Sequence, residues 1–183
     1  MNRKNKAAAV LLGFIPMLIV MAGIFLFSAM PGDESSETSG GLIKAFMRLF
    51  GHDSGDISDR LFRLLNLLVR KIAHFTEYGV LGACSLFCTA GFFEGERSTA
   101  AIKNRIAFFG AWLICILYAA SDEVHQYFVA GRYGTFTDVL IDSAGAVTGI
   151  LIFRAILKKR AGKNRRLNAD TQNVLLGDGN EKI

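Results

Sequence analysis

The stretch SDEVHQYFVAGR, residues 121–132, places carboxylates, an imidazole, an amide and a guanidinium within a few turns of chain. It directly follows AFFGAWLICILYAA, an uncharged run typical of a membrane segment. A charged side chain near the bilayer centre costs about 2.5–3.5 kcal/mol on insertion scales, and less toward the surface. Such groups persist at this depth where they pair with one another or line a wet cavity. The stretch therefore marks a candidate polar site at the end of a membrane span.

Two other apolar segments carry ionisable residues at one end. Lys71, His74 and Tyr78 open the segment KIAHFTEYGVLG, and Asp138 and Asp142 open FTDVLIDSAGAVTGIL. Spacings of three or four residues place each set on one face of a helix with 3.6 residues per turn. Spans that alternate in direction would bring all three sets to one depth, on the outer side of the membrane.

The last of these segments also predicts close helix packing. Asp138, Asp142, Gly145 and Gly149 form one helical stripe, and the two glycines make a GxxxG pattern. Small residues at this spacing let a second helix approach closely. The aspartates are therefore predicted on the packed face, where the glycines serve either contacts within the chain or a homodimer.

We predict a polar pocket where these helices meet. Its basic groups can donate to phosphate or carboxylate, and its acidic groups can accept from hydroxyl or amide groups. The candidate binding residues are Lys71, His74, Tyr78, Asp122, Glu123, Gln126, Arg132, Asp138 and Asp142. A polar network that only fixes the register of the helices is the alternative reading of the same residues.

The same residues also allow a catalytic interpretation. His74 could act as a general base oriented by Glu123 or Asp142, with Arg132 stabilising developing negative charge. The sequence has no G-x-S-x-G, no P-loop and no fitting nucleophilic cysteine, so an acid–base or metal-assisted mechanism would be required. Since no tight ligand motif such as H-E-x-x-H is present, we predict no metal and no cofactor.

The elements that must position these residues are predicted to be membrane helices. Hydrophobic residues make up 51% of the 183 residues, and mean hydropathy is +0.34. A spanning helix needs about 20 apolar residues. We predict an all-α integral membrane protein, a bundle of four transmembrane helices at residues 7–30, 72–93, 106–128 and 137–157. Residues 1–160 would form one membrane domain, and residues 161–183 a polar, disordered tail.

The loop at residues 31–70 is the largest segment between predicted spans. PGDESSETSGG is polar and rich in glycine and serine, which predicts coil. LIKAFMRLF and DRLFRLLNLLVR are apolar with spaced basic residues, which predicts short amphipathic helices in the membrane interface or packed on the bundle. Ser58 or Asp56 is expected to cap the second of these helices.

Charge distribution predicts location and orientation. The net charge is +5, but the basic residues flank apolar segments, so nucleic acid is not an expected partner. Of the 21 Lys and Arg residues, 14 fall on the side that holds both termini. The predicted location is the cell membrane, with both termini cytoplasmic. Cys84, Cys88 and Cys115 lie within apolar runs and are interpreted as packing residues.

The segments KIAHFTEYGVLG and SDEVHQYFVAGRYGTFTDVLIDSAGAVTGIL resemble the VanZ-like family of membrane proteins. The shared pattern is K-x-x-H-x-x-x-Y, then D-E-x-x-Q, G-R, and D-x-x-x-D followed by glycines, from about Lys71 to Leu151. Where the family commonly has proline before Gly-Arg, this chain has Ala130, which predicts a looser turn. The motif positions are Lys71, His74, Tyr78, Glu123, Gln126, Arg132, Asp138 and Asp142.

The resemblance implies a role in the cell envelope, because the family is named for a protein associated with resistance to glycopeptides such as teicoplanin. The expected partners are membrane lipids and a cell-wall precursor or lipid-anchored glycopeptide. Recognition of an anionic or peptidyl envelope lipid is the first expectation. A membrane-embedded acid–base hydrolase or transferase acting on a lipid head group is the alternative.

Overall fold

A computed structural model describes residues 3–52, 55, 57–92 and 99–177 of the chain. Five α-helices occur within these residues. No strand occurs within those residues, so the all-α prediction is confirmed. The helices are α1 (Arg3–Ser28), α2 (Gly32–Leu49), α3 (Asp59–Phe92), α4 (Ala100–Tyr127) and α5 (Phe136–Gly177).

Two helical segments are long and apolar enough to cross a membrane, Ala100–Tyr127 and Phe136–Asn164. A third counts if Gly13–Ser28 and Gly32–Leu49, which meet at a bend of 104°, form one broken span. Large apolar side chains face outward on these helices and also on α3, as Ile19, Leu117 and Phe87 illustrate. Exposed apolar surface of this extent is typical of helices that contact lipid. The chain is therefore a helical protein of membrane type, and its division into four spans stays a prediction.

The segment PGDESSETSGG was predicted as coil, and that prediction is wrong because most of it lies in α2. Pro31 occupies the N-cap position of α2, and Asp33 and Glu34 lie in its first turn. Carboxylates there interact favourably with the positive end of the helix dipole. Gly40 then packs against the Phe62 ring of α3, so the small residues serve close packing rather than chain flexibility.

The amphipathic segment DRLFRLLNLLVR was expected to form a separate short helix, but it is the first third of α3. The Oγ of Ser58 accepts a hydrogen bond from the Leu61 N–H at 3.4 Å, which confirms Ser58 as a cap. Asp56, the other predicted cap, lies outside the described residues. With 34 residues α3 is roughly 50 Å long at 1.5 Å per residue, which exceeds a hydrocarbon core of about 30 Å.

Helix α3 is central to the fold, since it packs against α1, α2 and α4. Its contact with α5 is made by glycines. A Cβ placed on Gly145 or Gly149 would overlap a backbone carbonyl of α3, at Phe75 and Gly79 respectively. The GxxxG pattern therefore mediates a close helix contact, as the spacing predicted, and that contact lies within the chain, one of the two alternatives that the sequence left open.

The chain divides into two compact units, Met1–Ile150 and Leu151–Ile183. The first holds the buried core, which includes Cys88 and Cys115 as free thiols and thus fits their interpretation as packing residues. In the second, residues 161–177 were expected to be disordered and are instead helical. Leucine, arginine and alanine, which supply seven of these 17 residues, are good helix formers. Residues 178–183 lie outside the described residues.

Candidate functional site

Helices α3, α4 and α5 and the turn at residues 128–135 surround a cavity of about 400 Å³, here called the polar cavity. Six of the nine predicted binding residues line it, namely Lys71, His74, Gln126, Arg132, Asp138 and Asp142. Its remaining walls are Leu67, Arg70, Gly131, Tyr133, Thr135, Thr137 and Ile141. The structure thus brings together most of the binding residues that were predicted from the sequence.

A second cavity of about 180 Å³, here called the lateral cavity, lies beside the first. It is lined by the end of α1, by α2 and by α3, through Phe27, Met30, Ser35, Thr38, Ser39, Leu42, Val69, Ala73 and Glu77. Arg70, His74 and Arg132 line both cavities. These three basic side chains therefore form the boundary between the two spaces.

Lys71 and Asp138 form an ion pair between α3 and α5 at the rim of the polar cavity. The backbone N–H of Asp138 also donates to the Thr135 Oγ1 at 3.2 Å, at the first turn of α5. Both members of the pair are partly exposed. Such a pair contributes little to stability, but it neutralises one positive charge of the cavity.

His74 and Asp142 approach each other deeper in the polar cavity. The His74 Nδ1 lies 3.9 Å from the Asp142 Oδ1, which is beyond hydrogen-bonding distance. The Asp142 side chain is fully buried, and neither of its oxygens has a hydrogen-bond partner among the described residues. The two groups therefore keep hydrogen-bonding capacity on the wall of the cavity.

The acidic residues of α4 lie behind the polar cavity rather than on its wall. The Glu123 Oε2 accepts a hydrogen bond from the Thr135 N–H at 2.7 Å, which holds the chain just before α5. Asp122 accepts from the Gln126 Nε2 at 3.0 Å and thereby orients that amide. Tyr78, also a predicted binding residue, is fully buried and lines neither cavity. These three residues can support the wall without contacting a ligand in it.

Arg132 is the cap of α1. Its Nη2 donates to the Phe27 carbonyl at 2.9 Å and its Nε to the Met30 carbonyl at 2.8 Å. A cation at the carbonyl end of a helix is stabilised by the helix dipole and satisfies carbonyls that lack an intrahelical partner. The side chain is buried, and burial lowers the pKa of the guanidinium from its usual value.

The turn that presents Arg132 is fixed by backbone contacts. Gly131 adopts a positive φ of 70°, and the Ala130 carbonyl accepts a hydrogen bond from the Gly32 N–H at 3.0 Å. A Cβ on Gly32 would overlap the backbone of Gly131, so the turn and the start of α2 are in close contact. The Ala130 carbonyl makes this contact, and proline at the same position would supply the same group. The looser turn expected from Ala130 stays a prediction.

Sequence reasoning missed several wall residues. Arg70 lines both cavities and lies one helical turn before His74, so its place on the same stripe was a usable signal. Ser35, Thr38 and Ser39 were missed because their segment was read as coil. Neither Arg70 nor Arg132 forms an ion pair with a carboxylate in the part of the chain that the structure describes.

The acidic and imidazole groups do not gather into a metal-binding arrangement among the described residues. No group of three or more His, Cys, Asp or Glu side chains there is placed to hold a metal ion. The side chains of the described site can supply hydrogen bonds, charge attraction and proton transfer.

Comparison with known proteins identifies the family. A sequence model described as VanZ/LLP1 matches residues 13–158, well over half of the chain. The match extends beyond the segments whose motifs resemble the family and includes α2 and most of α1. No curated protein and no solved structure matches the chain. The chain therefore belongs to the VanZ/LLP1 family.

Proposed function

We propose that this chain is a four-span protein of the cell membrane, with both termini cytoplasmic, whose polar cavity opens outward. In this proposal the cavity binds the anionic or peptidyl head group of an envelope lipid or cell-wall precursor. The observation that carries the proposal is a cavity walled by three helices, with two guanidinium groups that lack a carboxylate partner among the described residues.

The charge balance of the cavity favours an anion. Lys71 is neutralised by Asp138, whereas Arg70 and Arg132 contribute positive charge without a paired carboxylate. Arginine recognises phosphate and carboxylate by charge-assisted, often bidentate hydrogen bonds. The Asp142 carboxylate, on the same wall, can accept from hydroxyl or amide groups of the same ligand.

Aromatic residues support a position at the level of lipid head groups. Tyr127, Phe128, Tyr133 and Phe136 are all exposed around the turn between α4 and α5. Tyrosine is enriched at membrane–water interfaces, where its ring contacts the apolar side and its hydroxyl the wet side. A cavity beside this turn would meet the head group of a lipid and not its chain ends.

The composition of helix α2 also supports a position of the polar cavity at the level of lipid head groups. It exposes Phe46 and Leu49 and carries Lys44 and Arg48 on the same segment. Apolar side chains combined with basic ones are typical of helices that lie in the plane of the membrane interface. We propose that α2 lies there and covers the outer side of the lateral cavity.

A link to glycopeptide resistance follows if the bound head group belongs to a cell-wall precursor or to a lipid that positions the drug. Occupying that group would change the access of a lipid-anchored glycopeptide to its target. The enzymatic alternative has one observation in its favour, the approach of His74 to Asp142 within the cavity. In that case His74 would transfer protons in hydrolysis or group transfer at the head group.

Lipid binding by the purified full-length chain tests the proposal. The chain in nanodiscs of zwitterionic lipid is titrated with phosphatidylglycerol, and the lipid is recovered and analysed by mass spectrometry. We expect saturable binding, weaker in Arg70→Gln, with the lipid recovered unchanged. A chemically altered lipid would favour the enzymatic alternative. Binding that is indifferent to head-group charge would overturn the proposal.

A further inference from the structure

We infer that the ligand is a single phosphate-bearing amphiphile, with its phosphate between Arg70 and Arg132, its polar head in the polar cavity and part of an acyl chain in the lateral cavity. This inference rests on the proposed function and narrows its ligand class. It comes from the junction of the two cavities, which share both guanidinium groups and the His74 imidazole.

The two cavities open onto different surroundings. At the lateral cavity the rim residues Phe27 and Leu42 are 58% and 60% exposed. At the polar cavity the rim includes Tyr133, which is 84% exposed, and the half-exposed Lys71. One opening is therefore hydrocarbon and the other polar, as an amphiphile held at the membrane surface requires.

The lateral cavity is more apolar than its residue types suggest. The Thr38 hydroxyl donates to the Glu34 carbonyl at 2.9 Å, and the Ser39 hydroxyl donates to the Ser35 carbonyl at 2.8 Å. Because the Thr38 proton is used within α2 and the Ser39 proton is shared between α2 and the Asn66 Oδ1, these two hydroxyls have no proton left to donate to a ligand. Phe27, Leu42 and the neighbouring aliphatic side chains then dominate the surface that a ligand would meet.

The positive charge at the junction of the two cavities favours a phosphate group there. Arg70 and Arg132 supply two positive charges there, and Glu77 supplies the one carboxylate on the lateral wall in the described residues. The junction thus carries net positive charge beside hydrocarbon. A phosphate ester places its negative charge at the point where a polar head meets an apolar chain, and arginine binds phosphate well.

The volumes of the two cavities fit one ligand that occupies both of them. Pockets for drug-sized ligands are typically about 300–1,000 Å³. The polar cavity, at about 400 Å³, falls within that range, and the lateral cavity, at about 180 Å³, falls below it. The lateral cavity can therefore hold only part of a ligand, and the rest of an acyl chain would leave past Phe27 and Leu42 into the bilayer.

The test separates the two halves of the ligand. The full-length chain in nanodiscs of zwitterionic lipid is titrated with dioctanoyl phosphatidic acid, with glycerol 3-phosphate and with dioctanoylglycerol. Ala73→Phe fills the lateral cavity, and Ala144→Phe, on an exposed position away from both cavities, is its control. Arg70→Gln removes one junction charge, and Arg63→Gln removes an exposed charge elsewhere on α3.

We expect wild type to bind dioctanoyl phosphatidic acid at least about tenfold more tightly than either half-molecule, since both cavities contribute. Arg70→Gln should weaken both phosphate probes by about tenfold, the scale of one charge-assisted hydrogen bond. Ala73→Phe should weaken the two dioctanoyl probes, phosphatidic acid and dioctanoylglycerol, and leave glycerol 3-phosphate unchanged. Its retained binding of glycerol 3-phosphate would show that this variant is folded.

Two results would overturn the inference in distinguishable ways. If glycerol 3-phosphate binds as tightly as the dioctanoyl lipid and Ala73→Phe changes nothing, the lateral cavity takes no chain, although head-group recognition stands. If no phosphate probe binds saturably, the anionic head-group proposal fails together with the inference.

Discussion

The guanidinium of Arg132 donates from its Nη2 to the carbonyl oxygen of Phe27 at 2.9 Å, across 105 positions of the chain. Phe27 lies in the last turn of α1, and its side chain lines the lateral cavity. Arg132 itself lines both cavities. One side chain therefore terminates a helix, fixes a wall of the candidate site and supplies part of its positive charge.

Replacing Arg132 by lysine should destabilise the protein. Lysine keeps the charge but lacks the planar fork that reaches the carbonyls of both Phe27 and Met30. Loss of one hydrogen bond to a charged group costs about 1.5–3 kcal/mol. Arg132→Lys should lower the unfolding free energy in micelles by that amount, and Arg63→Lys, on an exposed position, should leave it unchanged. Equal stability of the two variants would mean that the α1 cap contributes nothing.

The contact between α3 and α5 should depend on Gly149. A methyl group there would overlap the Gly79 carbonyl, and overpacking of this kind costs about 1–3 kcal/mol. Gly162→Ala is the matched control, because no neighbouring atom lies within 4 Å of its added Cβ. It should gain up to about 1 kcal/mol from helix propensity. Thermal unfolding in detergent measures both, and a stable Gly149→Ala would contradict the close contact.

Helix periodicity predicted the faces of the bundle well. The stripe that joins Asp142 to Gly145 and Gly149 is the packed stripe, and His74 reaches the same cavity as Asp142. Both results follow from local spacing, since residues three or four apart share one side of any helix. Six of the thirteen residues that line the polar cavity could therefore be predicted without a structure.

Local spacing could not predict which side chains reach the cavity or which residues far apart in the sequence contact each other. Tyr78, Asp122 and Glu123 lie on the predicted faces but behind the cavity wall, because a shared face does not say which groups reach the open space. The partners of Arg132 are on α1, and no local pattern connects them. The first half of helix α2 was missed because glycine and serine favour coil locally, while its packing on α3 is a tertiary effect.

Helix α2 should be held in place by Asn66. The Asn66 Nδ2 donates to the Ser36 carbonyl at 3.0 Å, and the Asn66 Oδ1 accepts from the Ser39 hydroxyl. Asn66→Ala removes both links, so the amides of α2 should exchange with deuterium faster than in wild type. Asn104→Ala, on an exposed position of α4, should leave that exchange unchanged. Unchanged exchange in Asn66→Ala would show that packing alone holds α2.

Cysteine labelling should report the proposed orientation. In a background where Cys84, Cys88 and Cys115 are replaced by alanine, single cysteines are introduced at Tyr133 and at Ala161. A membrane-impermeant maleimide should label position 133 in intact cells, and position 161 only after permeabilisation. The opposite pattern would invert the topology and place the polar cavity on the cytoplasmic side.

The polar cavity is proposed to be the functional site of the protein. The most direct measurement is susceptibility to teicoplanin in a Gram-positive host that expresses wild type, Asp142→Asn, Arg70→Gln or Arg63→Gln, with the membrane level of each quantified. Wild type and Arg63→Gln should reduce susceptibility, and the two cavity variants should not at equal membrane levels. If both cavity variants protect as well as wild type, or if wild type does not protect at all, the account of the cavity as a resistance site is contradicted.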